Sequence, residues 1–181
     1  EKTEYNVSLP QCYQPLWKPS NDPLYKNAIS YLKRRGIGGI DILRYSIGYC
    51  SSNGYSNRII IPSYDADGKL NYFIARDMFP NSKFKYKNPP ISKDTVCFEM
   101  FINWNEPIIL CEGAFDAIAI RNNAIPLLGK FPSKTLVKRL VEKKVKKIYV
   151  ALDEDAKKDA VKLSKFLMDY GIETYLLNMR G

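Results

Sequence analysis

The chain has 181 residues and a formal net charge of +9, from 28 Lys and Arg against 19 Asp and Glu. It contains no histidine, which excludes Ser-His and Cys-His catalysis and His-ligated zinc within these residues. Its four cysteines, Cys12, Cys50, Cys97 and Cys111, show no paired spacing, so we expect neither a zinc site nor disulfides. This predicts a protein of a reducing compartment. No apolar segment approaches membrane-spanning length and nothing resembles a signal peptide, which predicts a cytoplasmic protein with no membrane partner. The basic excess is compatible with an ordinary solvated surface or with a polyanion partner.

The first region, residues 1–105, predicts a smaller α+β subdomain. Residues 1–22 are rich in Pro, Asn, Ser and aromatic residues without a clear period, and we expect an extended lead-in. A helical pattern from residue 23 ends at basic residues and Gly36, and a second short helix is predicted over 39–45. Strands over 58–62 and 70–76 are joined by an Asp-Gly turn, the signature of an antiparallel hairpin.

Residues 79–95 are rich in Pro, Lys and Asn. Their composition is typical of a linker, and their alternation of basic and aromatic residues also suits contact with nucleotides. Both interpretations stay open on the sequence.

The second region, residues 106–181, alternates strands with helices. The predicted strands cover 107–111, 124–128, 147–152 and 173–177, and the predicted helices cover 113–121, 133–144 and 156–170. This alternation predicts an α/β subdomain with a mainly parallel sheet and helices on both faces. The boundary between the two regions is expected near 95–106.

Acidic residues follow two of the predicted strands directly. Glu112 ends the strand over 107–111, and Asp153 and Asp155 follow the strand over 147–152. Ligands of open α/β sheets bind at the carboxyl ends of parallel strands. Residues two apart on an extended segment point to the same side, so we expect Asp153 and Asp155 to converge while Glu154 points away. Crowded carboxylates repel each other unless a cation is present, which predicts a Mg²⁺ or Mn²⁺ site.

Two further residues complete this prediction. Gly113 is expected to allow a tight turn from strand to helix, and Asp116, one helical turn after Glu112, to orient Glu112 or a metal-bound water. Taken singly, each feature is more often a turn, a helix cap or a solvated loop. Their combination at the ends of two parallel strands favours the metal site.

These acids resemble the hallmark of the Toprim domain of primases, topoisomerases and some nucleases, a Glu-Gly after one strand and an Asp-x-Asp after a later one. The first region resembles the segment that opens the catalytic core of bacterial and phage replicative primases. The motifs that carry this likeness lie in residues 28–49, in Arg58-Ile59-Ile60-Ile61-Pro62-Ser63-Tyr64-Asp65 with Asp67-Gly68, in Phe73-Ile74-Ala75-Arg76 and in Lys85-Tyr86-Lys87-Asn88-Pro89-Pro90. The Asp-x-Asp-Ala-Lys-Lys form is similar to phage-type members.

The resemblance implies a primase RNA polymerase core, a nucleotidyltransferase that makes short RNA primers from NTPs on a single-stranded DNA template. Glu112, Asp153 and Asp155 would be catalytic and hold Mg²⁺ or Mn²⁺, with Asp116 as a further metal residue. The family's basic ridge, which tracks template and nucleotide, would comprise Arg58, Arg76, Lys85, Lys87, Asn88 and Lys93. A replicative helicase would bind through regions outside this chain, in the cytoplasm of a bacterium or of a phage-infected host.

Departures from the family pattern leave other functions open. The family's metal site commonly includes an acid beyond the last strand seen here, and no zinc-binding or helicase region is recognisable. Because the chain lacks an initiator Met and stops at Gly181, we expect a segment of a longer protein. The alternatives are a Toprim nuclease that uses the same acids and a non-catalytic nucleic-acid-binding replisome module. A topoisomerase is less favoured because no separate domain offers a catalytic tyrosine.

Overall fold

The first part of the chain is built on an antiparallel sheet. The computed structural model describes residues 3–178 of the protein. The four strands of this sheet lie in sequence order: β1 (Tyr13–Pro15), β2 (Gly48–Cys50), β3 (Arg58–Tyr64) and β4 (Leu70–Asp77). The predicted hairpin is confirmed, because β3 pairs with β4 from Arg58 opposite Asp77 to Tyr64 opposite Leu70. The lead-in expected to be extended contains β1, and β2 is a further strand that the sequence did not reveal.

Two helices accompany this sheet, as the sequence predicts. They are α1 (Pro23–Arg34) and α2 (Gly39–Arg44). The carboxylate of Asp22 accepts a hydrogen bond of 2.9 Å from the backbone N–H of Leu24, and Pro23 occupies the first helical position. After the basic last turn, Gly36 has a φ of +74°, a conformation that glycine adopts without strain. These are the start and stop signals visible in the sequence.

The second part of the chain carries a parallel sheet flanked by helices. Its strands are β5 (Ile108–Cys111), β6 (Ala124–Pro126), β7 (Lys147–Ala151) and β8 (Glu173–Leu176), in the order β6-β5-β7-β8. Its helices are α3 (Ala114–Ile120), α4 (Lys134–Glu142) and α5 (Lys157–Asp169). The prediction of a parallel α/β arrangement is confirmed. Both central strands bury most of their apolar residues, which is typical of a sheet covered on two faces.

The register of the two central strands determines where the acidic residues lie. Cys111 at the end of β5 is paired with Ala151 at the end of β7. Glu112 therefore leaves the sheet beside the segment that leads to Asp153. Neighbouring parallel strands thus deliver both acids to one edge of the sheet.

Within the described chain, two compact units are formed by residues 3–64 with 69–91 and by residues 65–68 with 92–178. The division into domains at 105–106 that the sequence suggested stays a prediction. Among residues 3–178, no helix combines the length and apolar character needed to cross a bilayer.

Candidate metal centre and basic residues

Three carboxylates meet at the carboxyl end of β5 and β7. Glu112, Asp153 and Asp155 each offer one carboxylate oxygen, and these oxygens all lie within 4.8 Å of one another. Glu112 is partly buried, whereas both aspartates are exposed to solvent. The structure therefore brings together the three acids that the sequence singled out.

A hydrogen bond and a short helical turn hold this arrangement. The backbone N–H of Asp153 donates to Oε1 of Glu112 over 3.1 Å. Asp155 does not lie on an extended segment, so the predicted reason for its convergence is wrong. It belongs to a 3₁₀ helix, Glu154–Ala156, which begins directly after Asp153. The turn, rather than alternation along a strand, brings the carboxylate of Asp155 to the cluster.

The electrostatic environment disfavours negative charge in this cluster. Partial burial, and then the neighbouring Asp153 and Asp155 carboxylates, raise the pKa of Glu112 against the opposing hydrogen bond from Asp153. Displacement of part of the water around its carboxylate, followed by the charges of Asp116 and Asp155, raises the pKa of Asp153 although the residue as a whole is exposed. Lys130 acts in the opposite direction on both pKa values. A bound cation would relieve the remaining repulsion.

Lys130 is a residue of this site that the sequence did not identify. It lies in the segment between β6 and α4, and its Nζ is also 3.9 Å from a carboxylate oxygen of Asp159 on α5. No motif surrounds Lys130, and only the fold shows that the segment returns to the acids. The backbone N–H of Leu128, close before it, donates 2.9 Å to the carbonyl oxygen of Glu112.

Asp116 and Gly113 differ from their predicted roles in detail. One carboxylate oxygen of Asp116 accepts a hydrogen bond of 3.1 Å from the backbone N–H of Gly113, so Asp116 caps the start of α3. It lies outside the three-carboxylate cluster, although its charge affects Asp153. Gly113 stands at the turn as expected, with a φ of −121° that any residue adopts. A Cβ there would lie 3.5 Å from Oδ2 of Asp116, an ordinary contact, so the turn does not require glycine.

Arg58 differs from the expectation of a nucleic-acid contact. It is buried, and its guanidinium donates to the carbonyl oxygens of Phe84 over 2.8 Å and of Lys85 over 3.3 Å. Asp77 lies 3.9 Å away as an ionic partner. These contacts tie β3 to the segment after β4, which is a structural role.

Arg76 and the lysine-rich segment lie at the surface of the same unit. Arg76 is partly buried, donates from Nε to the hydroxyl of Tyr31 over 3.2 Å and lies 4.8 Å from the ring centroid of Tyr86. This stacking leaves a cation and an aromatic ring side by side. Lys85 is exposed, although its backbone carbonyl accepts hydrogen bonds from Arg58 and Asp77.

The remaining predicted contacts are partly engaged within the protein. Nζ of Lys87 donates to the carbonyl oxygen of Gly54 over 2.6 Å and lies 4.8 Å from the ring of Tyr55. The side-chain oxygen of Asn88 accepts from the backbone N–H of Ala75 over 3.3 Å. Lys93 is exposed in the second compact unit. Lys85 and Lys93 are therefore the more accessible cations of the predicted set.

The fold is that of bacterial primase catalytic domains. A DNA primase domain from Pseudomonas aeruginosa superposes with a TM-score of 0.73 at 21% identity, covering 92% of this chain and 67% of that one. The RNA polymerase domain of Mycobacterium tuberculosis primase DnaG, in complex with double-stranded DNA, gives a TM-score of 0.74 at 14% identity and covers 88% and 68%. A DnaG primase catalytic domain bound to single-stranded DNA superposes with a TM-score of 0.68 at 18% identity, covering 88% of this chain and 65% of that one.

Sequence similarity identifies the family. The uncharacterized protein MG010 of Mycoplasma genitalium is 31% identical over 194 residues, covering 99% of this chain and 87% of that protein, and the chain belongs to its family. A DNA primase of Legionella pneumophila is 28% identical over 176 residues, which is 71% of this chain but 30% of that protein. The chain thus spans less than a third of that primase. No protein-family profile matches the chain.

Proposed function

We propose that the chain is the catalytic core of a DNA primase, a nucleotidyltransferase that joins ribonucleotides into short RNA primers on a single-stranded DNA template. The observation that carries the proposal is the meeting of Glu112, Asp153 and Asp155 at the ends of two parallel strands, in a fold shared with primase catalytic domains. The similarity to a curated DNA primase over 71% of the chain supports it.

The donor set fits a hard divalent cation. Three carboxylates supply oxygen ligands, two of them are open to solvent, and repulsion within the group raises the pKa values of Glu112 and Asp153 beyond the effect of burial. Mg²⁺ and Mn²⁺ prefer such ligands and retain positions for water and phosphate oxygens. A divalent cation bound in such a site would activate an attacking 3′-hydroxyl and neutralise charge on the leaving phosphates.

The chain's own residues would prepare this chemistry. The hydrogen bond from Asp153 fixes one oxygen of Glu112, and the 3₁₀ turn carries Asp155 to the same side. Lys130 supplies a positive charge near the acids, where a phosphate group would also arrive. Asp116, fixed by its bond to Gly113, would add negative potential without being a direct ligand.

Exposed basic residues would contact the nucleic acid. We assign phosphate contacts to Lys85 and Lys93, which are exposed, and a smaller contribution to Lys87. Arg76, stacked on Tyr86, offers a cation and an aromatic face to a base or phosphate. Asn88 would contribute indirectly, by a hydrogen bond that its side-chain oxygen accepts from the backbone N–H of Ala75 on β4. A replicative helicase would bind outside this chain, and the expected location is the cytoplasm.

The decisive experiment separates three activities in one reaction. A labelled single-stranded template is incubated with NTPs and either Mg²⁺ or Mn²⁺, with and without a short RNA primer. Extension of the primer supports the proposal. Shortening of the labelled DNA would instead assign the same acids to a Toprim nuclease, and binding without turnover would indicate a non-catalytic replisome module.

A matched pair of variants links the activity to the acids. Glu112→Gln keeps the size of the side chain and removes its charge, so we expect extension to fall at least about a hundredfold. Asp169→Asn removes an exposed acid at the end of α5, outside the cluster, and should leave extension unchanged. Equal extension by both variants would contradict the proposed role of the cluster.

A further inference from the structure

An apolar groove on the second unit lies between α4 and α5. Its cavity has a volume of about 590 Å³ and is open to solvent. The residues that line it come from both helices, from the segment before α4 and from the residue that follows α5: Phe131, Pro132, Lys134, Val137, Lys138, Val141, Glu142, Phe166 and Tyr170. None of these residues belongs to the carboxylate cluster.

Three aromatic rings form one side of this α4–α5 groove. The ring of Phe166 packs edge to face against Phe131 at 4.9 Å and against Tyr170 at 5.1 Å between centroids. Despite these contacts, Phe131 remains 42% exposed and Tyr170 53% exposed, and Val141 on the opposite helix is 49% exposed. A contiguous patch of exposed apolar side chains with polar residues around it is typical of an interaction site.

The rim of the groove is mainly basic. Lys134 and Lys138 line it from α4, and Nζ of Lys162 on α5 lies 5.8 Å from the ring centroid of Phe131. The acidic lining residue, Glu142, is 3.7 Å from Lys138 and offsets part of that charge. The remaining positive potential favours an acidic partner over a basic one.

We propose that the α4–α5 groove binds an acidic peptide segment that places one aromatic or aliphatic side chain among Phe131, Phe166 and Tyr170. The apolar anchor would fill the cavity, and the flanking carboxylates would meet the lysines of the rim. A second copy of this chain is a poor occupant because its net charge is +9. Nucleic acid is a weaker candidate because the groove is lined largely by apolar groups, which cannot pair with base edges.

This inference stands independently of the proposed primase activity. The groove shares no residue with Glu112, Asp153 or Asp155, and its test measures binding without nucleotides.

The test uses a fluorescein-labelled peptide of Asp and Glu residues with one central Phe, followed by fluorescence anisotropy. Two companion peptides replace the Phe by Ala or all acids by Lys. Val141→Glu introduces a negative charge into the groove, and we expect it to weaken binding by about tenfold or more. Met168→Glu is the matched control, because Met168 on α5 is 50% exposed and does not line the groove.

The two variants introduce the same charge at equally exposed helical positions. Weaker peptide binding by Val141→Glu than by Met168→Glu therefore shows that the peptide binds in the groove. Far-UV circular dichroism checks that both remain folded. Binding that requires both the Phe and the acids, and that is lost only in Val141→Glu, supports the inference. The inference is overturned if both variants bind the peptide equally, if binding does not depend on the Phe, or if the wild-type chain does not bind the peptide detectably. It is also overturned if Val141→Glu weakens binding of a single-stranded oligonucleotide instead of the peptide.

Discussion

The backbone N–H of Asp153 lies 3.1 Å from Oε1 of Glu112, so a residue that follows β7 directly holds the side chain that ends β5. This bond from backbone to side chain links the two chain segments beyond the last paired residues of β5 and β7, Cys111 and Ala151. The bond fixes the carboxylate of Glu112 through the backbone of Asp153, whose own side chain carries the second carboxylate of the cluster. The acidic cluster is consequently preorganised by the sheet and does not depend on flexible loops alone.

Substitution of both aspartates should abolish metal binding while keeping the fold. In Asp153→Asn with Asp155→Asn, two anionic ligands are lost, but the backbone bond to Glu112 is retained. We expect Mn²⁺ to stabilise the wild-type protein by about 1.4 kcal/mol at ten times its Kd, and the double variant not at all. Thermal unfolding with and without Mn²⁺ measures this difference.

The same melts contain an internal check. Without divalent cations, loss of like-charge repulsion should make the double variant at least as stable as the wild-type protein. Asp169→Asn serves as the control that should retain stabilisation by Mn²⁺. Stabilisation of the double variant equal to that of the wild type would exclude the cluster as the metal site.

Arg58 should prove to be important for stability and Lys85 for binding. Arg58→Ala removes a buried guanidinium, its hydrogen bonds to the carbonyl oxygens of Phe84 and Lys85 and its ion pair with Asp77, so we expect a loss of about 2–4 kcal/mol in the free energy of unfolding. Lys85→Ala removes an exposed cation and should change stability by less than about 0.5 kcal/mol. Urea denaturation measures both values.

DNA binding provides the complementary measurement for these two residues. Lys85→Ala should reduce the steepness of log affinity against log salt concentration by about 0.7 for single-stranded DNA, the value for one lost phosphate contact. Arg58→Ala, assayed where it is folded, should keep the wild-type slope. Lys26→Ala on α1, an exposed lysine outside the predicted ridge, is the matched control. A reduced slope in Arg58→Ala would restore the original expectation that Arg58 contacts phosphate.

The sequence predicted the elements whose signals are local. The apolar runs before Glu112 and Asp153 identified β5 and β7, and the alternation with helices predicted that both acids meet at one edge. Asp155 reached the cluster by a 3₁₀ turn, which the extended-segment argument did not foresee. The role of Arg58 depends on carbonyl groups more than 25 residues away, which no local pattern reveals.

Short strands with distant partners were also beyond sequence reasoning. β1 and β2 have three residues each, and Tyr13 is paired with Cys50 across the intervening helices. Three residues are too few for a periodic signal, and the pairing partner is set by the tertiary fold. Lys130 was missed for a similar reason, because only the return of its segment to Glu112 gives it a role.

The close packing of β1 on β2 should make Gly48 intolerant of substitution. A Cβ at Gly48 would collide with the ring of Tyr13 and lie 2.5 Å from the carbonyl oxygen of Gln14. We expect Gly48→Ala to destabilise the protein by about 2–4 kcal/mol in urea denaturation, because the paired backbone would have to separate. Gly39→Ala is the control, since no atom lies within 4 Å of its Cβ, and it should change stability by less than about 1 kcal/mol. Similar stabilities of the two variants would contradict the observed strand pairing.

A buried glutamate makes a prediction about pH. Glu99 is 5% exposed, and its Oε2 lies 3.5 Å from Nε of Arg139 on α4. Burial raises the pKa of Glu99 above its ordinary value, against the opposing effects of Arg139 and of a hydrogen bond from the backbone of Ala66. The folded protein therefore binds this proton more tightly than the unfolded chain does. Its contribution to stability is present at low pH and is lost as pH rises through the folded pKa.

Glu99→Gln isolates that contribution because glutamine keeps the shape and an accepting oxygen but does not titrate. We expect the variant to be at least as stable as the wild-type protein at neutral pH. As pH is lowered through the folded pKa of Glu99 towards its ordinary value, the wild-type protein should gain stability relative to the variant. Urea denaturation of both proteins at a series of pH values gives the difference in free energy of unfolding, in which other titrating groups cancel. A difference that instead favours the wild-type protein increasingly with rising pH would show that the ion pair with Arg139 outweighs the cost of burial.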